Sequence, residues 1–151
     1  MKKLLLGIAA LFTLSACEVP VMIAAHKNDG KMSGMFEITF PAVMLIQIQE
    51  HEIEELLTGE LIGHASGAAK YNLVGPTFGR CTGGYSKDGT NTLTCENGNS
   101  FTQNIGKQKA KMSGVNVLAG VNNGTSFISA FGWGKLATED AVREAIANYT
   151  P

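Results

Sequence analysis

The feature that most constrains the fold is a succession of short segments in which apolar and polar residues alternate. Alternation with period two is typical of β-strands, because successive side chains of a strand point to opposite faces. Clusters of Gly, Asn and Pro separate these segments at spacings of ~8–12 residues, which is typical of an antiparallel sheet. The alternating apolar positions are Phe36, Ile38 and Phe40; Met44, Ile46 and Ile48; Tyr71 and Leu73; Phe101 and Ile105; Val115 and Val117; Phe127, Phe131 and Trp133. The sequence therefore predicts a mainly β domain, closed as a small antiparallel barrel or sandwich.

The acidic segment 50–57 allows two interpretations. It fits a single helical turn, and it also fits the charged tip of a long hairpin. A β-rich segment precedes it over 43–49, and Leu61 and Ile62 follow it. We therefore expect a hairpin.

Two cysteines flank the clearest hairpin turn in the chain. Asp88-Gly89 is a dipeptide typical of tight β-turns, and Cys81 and Cys95 lie almost symmetrically about it. The first residues of the chain have the basic and apolar pattern of an export signal, and a pair of cysteines in an exported protein is typical of a disulfide. A redox-active pair is instead usually a Cys-x-x-Cys motif at a helix start. We therefore predict a structural disulfide between Cys81 and Cys95 on neighbouring strands, with Cα atoms about 4.4–6.8 Å apart.

The C-terminus changes to a helical pattern. Thr138 is a suitable N-cap, and Glu139 and Asp140 follow it in the first turn, where carboxylates favour the helix dipole. An apolar stripe with helical spacing comprises Val142, Ala145, Ile146 and Tyr149. The sequence predicts one C-terminal amphipathic helix over about residues 139–148, packed on an end or a face of the sheet.

The first residues have the pattern of an export signal. Lys2 and Lys3 precede an apolar run over 4–13, which is shorter than the roughly 20 residues that a membrane-spanning helix needs. Leu14-Ser15-Ala16-Cys17 follows the run and resembles the lipobox of bacterial lipoproteins. The resemblance implies cleavage before Cys17 and acylation of that cysteine, which would anchor the protein in a membrane.

These motifs divide the 151 residues into three parts. We expect a lipoprotein signal peptide over 1–16, a lipid-anchored N-terminal segment over 17–30 and a single β-rich domain over 31–151. Glu18 follows the acylated cysteine. Asp at that place favours inner-membrane retention in enteric-type bacteria, so we expect the outer membrane. The formal net charge of −1 argues against a nucleic-acid partner held by phosphate neutralisation.

The middle of the chain resembles a group of small, β-rich proteobacterial lipoproteins of unknown function. Members carry a hairpin of the form Cys-x-Gly, a turn, then Leu-x-Cys-x-x-Gly and an aromatic strand. The matching residues here are Cys81, Gly83, Leu93, Cys95, Gly98 and Phe101. These are scaffold positions, so the resemblance implies a fold and an envelope location without implying an activity.

No motif in the chain specifies catalysis. The sequence has no Gly-x-Ser-x-Gly, no phosphate-binding P-loop and no His-Glu-x-x-His. His51 and the neighbouring glutamates form the densest group of metal-ligand types, for which a solvated charge run is the simpler interpretation. We therefore expect no enzyme activity, no cofactor and no metal.

Three other features bear on interaction. Trp133 lies between two glycines and suits either a binding face or a plug at the end of a barrel. Lys107, Lys109 and Lys111 alternate, so on a strand they would form one basic stripe facing solvent or lipid head groups. The tetrapeptide Lys-Met-Ser-Gly occurs at 31–34 and again at 111–114, and we interpret the two copies as similar strand starts.

A second resemblance involves Ser66-Gly67-Ala68-Ala69-Lys70-Tyr71. With one extra residue, it is similar to the Ser-Gly-x-x-Tyr segment of membrane-bound inhibitors of C-type lysozyme. That resemblance implies that Ser66 and a basic residue such as Lys70 would enter the lysozyme cleft.

The leading expectation is a lipid-anchored envelope lipoprotein with a structural or interaction role. Its partners would be the membrane, through acyl chains on Cys17, and an unidentified envelope protein. The alternatives are a periplasmic inhibitor of C-type lysozyme, and a metal-binding or hydrolytic envelope protein that uses His51 or His64 with nearby carboxylates.

Overall fold

A computed structural model describes residues 18–122 and 124–150. The predicted signal peptide and its lipobox cysteine, Cys17, lie outside these residues. The described chain forms nine strands and two α-helices. The strands are β1 (Lys31–Gly34), β2 (Glu37–Ile48), β3 (Ile53–His64), β4 (Ala69–Gly75), β5 (Gly79–Tyr85), β6 (Thr90–Cys95), β7 (Ser100–Asn104), β8 (Gly114–Asn122) and β9 (Thr125–Trp133). The helices are α1 (Glu18–His26) and α2 (Glu139–Ala147).

The strands form one antiparallel sheet that curls into a nearly closed barrel. Its strand order is β7-β6-β5-β4-β3-β2-β9-β8, and β1 pairs with the start of β2. Side chains bridge the seam between the first and last strands. Gln103 Nε2 donates to Ala119 O at 3.2 Å, and Asn122 Nδ2 donates to Ser100 O at 2.6 Å. The prediction of a small antiparallel barrel or sandwich with a C-terminal helix is confirmed, as a barrel.

Strand β2 is buried on both of its faces. Its inward positions contribute to the barrel core and are Phe40, Ala42, Met44, Ile46 and Ile48. On the outward face, Val43 and Leu45 pack with Ala130 and with Val142 of α2. The alternating pattern of the sequence therefore specifies the inner face, while α2 covers the outer one.

Helix α2 begins where the sequence predicts. Thr138 Oγ1 accepts a hydrogen bond from Ala141 N at 3.2 Å, which satisfies one free donor of the first turn. The helix packs with its apolar stripe against the outside of the barrel wall. On its exposed side, Arg143 donates to Glu54 Oε1 of β3 at 2.6 Å. The predicted amphipathic helix is thus confirmed, and it covers a face of the sheet rather than an end.

The predicted cysteine hairpin is confirmed in its register. Cys81 and Cys95 are direct partners on β5 and β6, and their sulfurs lie at bonding distance. The turn falls at Asp88-Gly89, where Gly89 has a φ of 96° and Asp88 Oδ1 accepts from Thr90 N at 3.2 Å. The cysteine Cα atoms are 4.0 Å apart, closer than predicted. The bond from Glu96 N to Arg80 O makes the cysteines a non-hydrogen-bonded pair, the closer of the two antiparallel types.

The end of the barrel that contains Phe78 and Glu55 is closed by side chains. Phe78 is buried in the β4–β5 turn and packs into the barrel core. Glu55 is 1% exposed, and its Oε1 accepts hydrogen bonds from Thr77 N and Phe78 N, both at 2.8 Å. A carboxylate therefore holds the turn that carries the aromatic plug.

The acidic segment forms a hairpin tip, as expected. Strands β2 and β3 pair along their whole length, from Glu37 with His64 to Ile48 with Ile53. A single 3₁₀ turn over Gln49–His51 joins them. The segment is therefore part of a long hairpin, as expected, and the connection at its tip is a short helical turn.

Four local features differ from the sequence pattern. Helix α1 was not predicted. Phe36 has a φ of 64° and lies in the β1–β2 turn, so it does not continue the inward row of Ile38 and Phe40. Strand β8 continues through Gly120 to Asn122, where the sequence has a Gly- and Asn-rich cluster of the kind that was expected to separate strands.

The fourth difference concerns the alternating lysines. They lie in segment 105–113 between β7 and β8, which has no regular secondary structure, so the basic strand stripe was wrong. Lys107 and Lys109 are exposed, as is Lys111.

In the described part of the chain, no helix has both the length and the apolar composition to cross a membrane.

Candidate functional site

A large cavity opens at the end of the barrel opposite Glu55. Its volume is about 980 Å³, which lies at the upper end of the roughly 300–1,000 Å³ typical of small-molecule sites. It is lined by the start of β2, the end of β3, the start of β4, the end of β9 and segment 105–113. An eight-stranded barrel is about wide enough to hold one small ligand. We call this end of the barrel the open end.

The cavity exists because small residues occupy the inner wall at the open end. Ala69 precedes the inward residues Tyr71 and Leu73 on β4, so it shares their face. Gly63 and Ala68 also line the space, as does Gly67 in the β3–β4 turn. At the closed end, by contrast, the corresponding inward residues include Leu57 and Phe78.

Three aromatic rings form one wall of the cavity. The ring centroids of Tyr71 and Phe131 are 4.8 Å apart, and those of Phe131 and Trp133 are 6.0 Å apart. All three residues line the cavity, together with Phe40 and Leu61. Burial raises the pKa of the Tyr71 phenol well above its ordinary value. Tyr71 is therefore neutral at physiological pH, and the wall is uncharged.

Flexible apolar side chains surround the mouth of the cavity. Met22 of α1, Met32 of β1, Met35 in the β1–β2 turn and Met112 all line it. Met35 is 83% exposed, and the neighbouring Phe36 is 69% exposed. Exposed apolar groups next to a cavity are typical of ligand or membrane contact. Methionine, which is unbranched, adapts readily to partners of different shape. We call these four methionines and Phe36 the apolar rim.

Segment 105–113 crosses beside the mouth and is tied to the barrel at both ends. The Tyr85 hydroxyl donates to Gly106 O at 2.9 Å and accepts from Gln108 N at 2.6 Å. Further along, Trp133 Nε1 donates to Lys111 O at 2.9 Å. These bonds fix the backbone on both sides of Lys109, while the three lysine side chains stay exposed. We call this segment the lysine strap.

The charged groups that line the cavity are basic. They are Lys107, Lys109 and Lys111 of the strap. His64, at the end of β3, also lines the cavity. His64 Nδ1 lies 3.2 Å from Glu37 Oε1, so that carboxylate has a partner. Among the described residues, none of the three strap lysines is in a salt bridge.

Of Trp133, Ser66 and Lys70, the structure brings only Trp133 into the cavity wall. The alternating lysines Lys107, Lys109 and Lys111 also line the cavity, but on the strap and not on a strand. Trp133 is half-buried and forms part of the wall of the open cavity, so it does not plug that end of the barrel. Ser66 is exposed in the β3–β4 turn, next to cavity-lining neighbours. Lys70 is exposed on β4, where it follows Ala69 and points away from the interior.

The histidines considered for a metal site lie at opposite ends of the barrel. His51 precedes β3 and His64 is its last residue, so the whole length of the strand separates them. No group of three or more candidate ligands converges within the described residues. The two histidines therefore do not contribute to one site.

Sequence reasoning did not find the cavity or its rim. One signal was available: the two Lys-Met-Ser-Gly copies both lie at the mouth, where Met32 and Met112 line the space. The copies are distant in sequence, and the sheet brings them to the same end of the barrel. The first pairs with the start of β2, and Gly114 of the second pairs with Trp133 at the end of β9.

Comparisons with known proteins do not assign this chain to a group: no family model, curated protein or solved structure matches it.

Proposed function

We propose that this protein is a lipid-anchored lipoprotein of the bacterial cell envelope that binds an apolar ligand in the open end of its barrel. The single observation that carries the binding role is the apolar cavity of about 980 Å³. The role is an interaction role without catalysis. In this proposal the barrel is a rigid container, because its closed end and the disulfide-linked hairpin hold the wall.

The envelope address rests on the sequence. The apolar run and Leu14-Ser15-Ala16-Cys17 support export, cleavage and acylation at Cys17. Glu18 favours the outer membrane, and Cys81 and Cys95 suit an oxidising compartment. The hairpin motif supports membership of the small β-rich proteobacterial lipoproteins.

The position of α1 agrees with an anchor at Cys17. The described part of this helix starts at Glu18, the residue after Cys17 in the sequence, and its Val21 and Met22 line the cavity. An acylated Cys17 would therefore hold the mouth of the cavity close to the lipid surface.

The anchor is tested by metabolic labelling with a palmitate analogue. We expect Cys17→Ser to lose the label and to leave the membrane or to accumulate as precursor. Cys81→Ser is the matched control, because it removes a cysteine outside the lipobox and should keep the label. Equal labelling of the Cys17→Ser variant and the unmodified chain would refute the anchor.

The binding role is tested with a neutral apolar fluorophore, N-phenylnaphthylamine, and the purified full chain. We expect saturable binding with one site per chain, lost in Ala69→Phe because the larger side chain enters the cavity. Ala119→Phe is the matched control: Ala119 is exposed on β8, outside the cavity. Absence of saturable binding, or equal binding by the two variants, would refute the ligand site.

A further inference from the structure

We infer that the ligand is an anionic amphiphile with one alkyl chain in the cavity and its acidic head group on the lysine strap. The inference rests on the proposed function, because it names the class of ligand that the same cavity would take. Fatty acids have this chemistry, and so does a phospholipid that inserts one chain.

The first argument is the separation of apolar and charged groups along the cavity. Phe40, Leu61, Tyr71 and Phe131 line it and belong to the buried core, so a chain between them would be removed from water. The strap lysines are exposed and stand at the mouth. A ligand that satisfies both regions has an apolar end and a charged end.

The second argument is the sign of the charge. The cavity lining includes three lysines and no carboxylate. The whole chain has a net charge of −1, so this basic group is a local feature and not a consequence of general basicity. Lysine ammonium groups form charge-assisted hydrogen bonds with carboxylates and phosphates. Charge complementarity therefore selects an anionic head group over a neutral one.

The third argument is preorganisation of the strap. Tyr85 holds Gly106 and Gln108, and Trp133 holds Lys111. The backbone that carries the lysines is therefore in place before a ligand arrives. Binding would order only side chains, which lowers its entropic cost. The methionines of the apolar rim would adjust to alkyl chains of different length.

The test compares dodecanoate with dodecanol, which share an alkyl chain and differ in head-group charge. Trp133 is the only tryptophan of the chain, and it contacts both the cavity and the strap, so its fluorescence reports binding directly. We expect dodecanoate to bind about tenfold more tightly than dodecanol, since hydrogen bonds to charged groups are the stronger type. The preference should shrink at high salt, because the strap lysines are exposed.

A lysine-strap variant separates the head-group site from the cavity. Lys107→Gln, Lys109→Gln and Lys111→Gln together should abolish the preference for dodecanoate and leave dodecanol binding unchanged, which also reports that the barrel is folded. The matched control replaces Lys70, Lys87 and Lys135 by Gln. These lysines are exposed outside the cavity, so the control loses the same charge and should keep the preference.

The source of the amphiphile is distinguished by native mass spectrometry after incubation with phosphatidylglycerol or phosphatidylcholine vesicles. One phosphatidylglycerol retained per chain supports a phospholipid. Retention of dodecanoate without phospholipid supports a free acid.

Equal affinity for dodecanoate and dodecanol would overturn the inference and leave the proposed cavity function standing. Binding of neither, and of no neutral fluorophore, would refute the proposed function itself. Adsorption to vesicles without a stoichiometric lipid or a dodecanoate preference would indicate a membrane-contact surface and would also overturn the inference.

Discussion

Glu55 is the residue on which the closed end of the barrel depends. It is buried on β3, and its Oε1 accepts the backbone N–H groups of Thr77 and Phe78. Gly75 packs directly against it, where a Cβ atom would meet the carboxylate. A buried carboxylate is unusual in a small barrel unless it is hydrogen-bonded. Here the carboxylate accepts the backbone hydrogen bonds of the β4–β5 turn, where Thr77 N and Phe78 N donate to it.

Glu55→Ala should lower the free energy of unfolding by about 3 kcal/mol, because it removes the acceptor of two hydrogen bonds, one from the buried Phe78 N–H and one from the partly buried Thr77 N–H. Urea denaturation followed by circular dichroism measures this loss. Glu60→Ala, an exposed position on the same strand, is the control and should change stability by less than about 0.5 kcal/mol. Equal stability of the two variants would show that water or a neighbouring group replaces the carboxylate.

A second residue-scale prediction concerns the N-cap of α2. Thr138→Ala removes the acceptor of the Ala141 N–H and should cost about 1 kcal/mol. Thr138→Ser retains the hydroxyl and should restore most of the stability. Thermal denaturation of the unmodified chain and of the two variants measures these differences. An unchanged melting temperature in Thr138→Ala would contradict the predicted role of the N-cap.

At the scale of elements, the β5–β6 hairpin joins the closed end to the open end. Its cysteines lie near the closed end, and Tyr85 lies at the other end of β5, where its hydroxyl holds the lysine strap. A disulfide at one end of the hairpin therefore restricts the register that places Tyr85 at the other.

Reduction of the Cys81–Cys95 bond should lower stability by about 2–4 kcal/mol without unfolding the barrel, because a loop of about 15 residues is released. Denaturant unfolding with and without reductant measures the difference. The double variant Cys81→Ala, Cys95→Ala should respond identically with and without reductant. Free thiols in protein taken from the envelope would contradict the assignment of a structural disulfide.

At the scale of the whole molecule, the barrel has one weak place, the seam between β7 and β8. These strands are the two ends of the sheet order, and the bonds from Gln103 and Asn122 bridge them through side chains. Every other strand between them has a backbone partner on both sides. Opening of the barrel should therefore begin at the seam.

Hydrogen exchange under native conditions should show this order of stability. Amides of β7 and β8 that face the seam are expected to exchange faster than those of β2, which pairs with β3 on one side and with β9 and β1 on the other. Gln103→Ala should accelerate exchange in β7 and leave β2 unchanged. Uniform protection across β7 and β2 would indicate a backbone ladder that closes the barrel.

The sequence by itself determined the local features of this protein. Alternation located the inner face of β2, the Asp88-Gly89 turn and flanking cysteines located a hairpin, and Thr138 located the start of α2. Each of these is a property of neighbours in the chain, where spacing and residue type decide the outcome. The apolar helix α1 was not predicted, because its sequence has no amphipathic stripe that would indicate a helix on a protein surface.

Only the tertiary structure decided that one end of the barrel is filled and the other is hollow. Periodicity shows which residues point inward, but not whether inward side chains from distant strands fill the space between them. At the closed end Phe78 and Leu57 fill it; at the open end Gly63 and Ala69 do not. Barrel closure likewise brought the two Lys-Met-Ser-Gly segments and the lysine strap to one mouth, because contacts between strands far apart in sequence depend on the whole sheet.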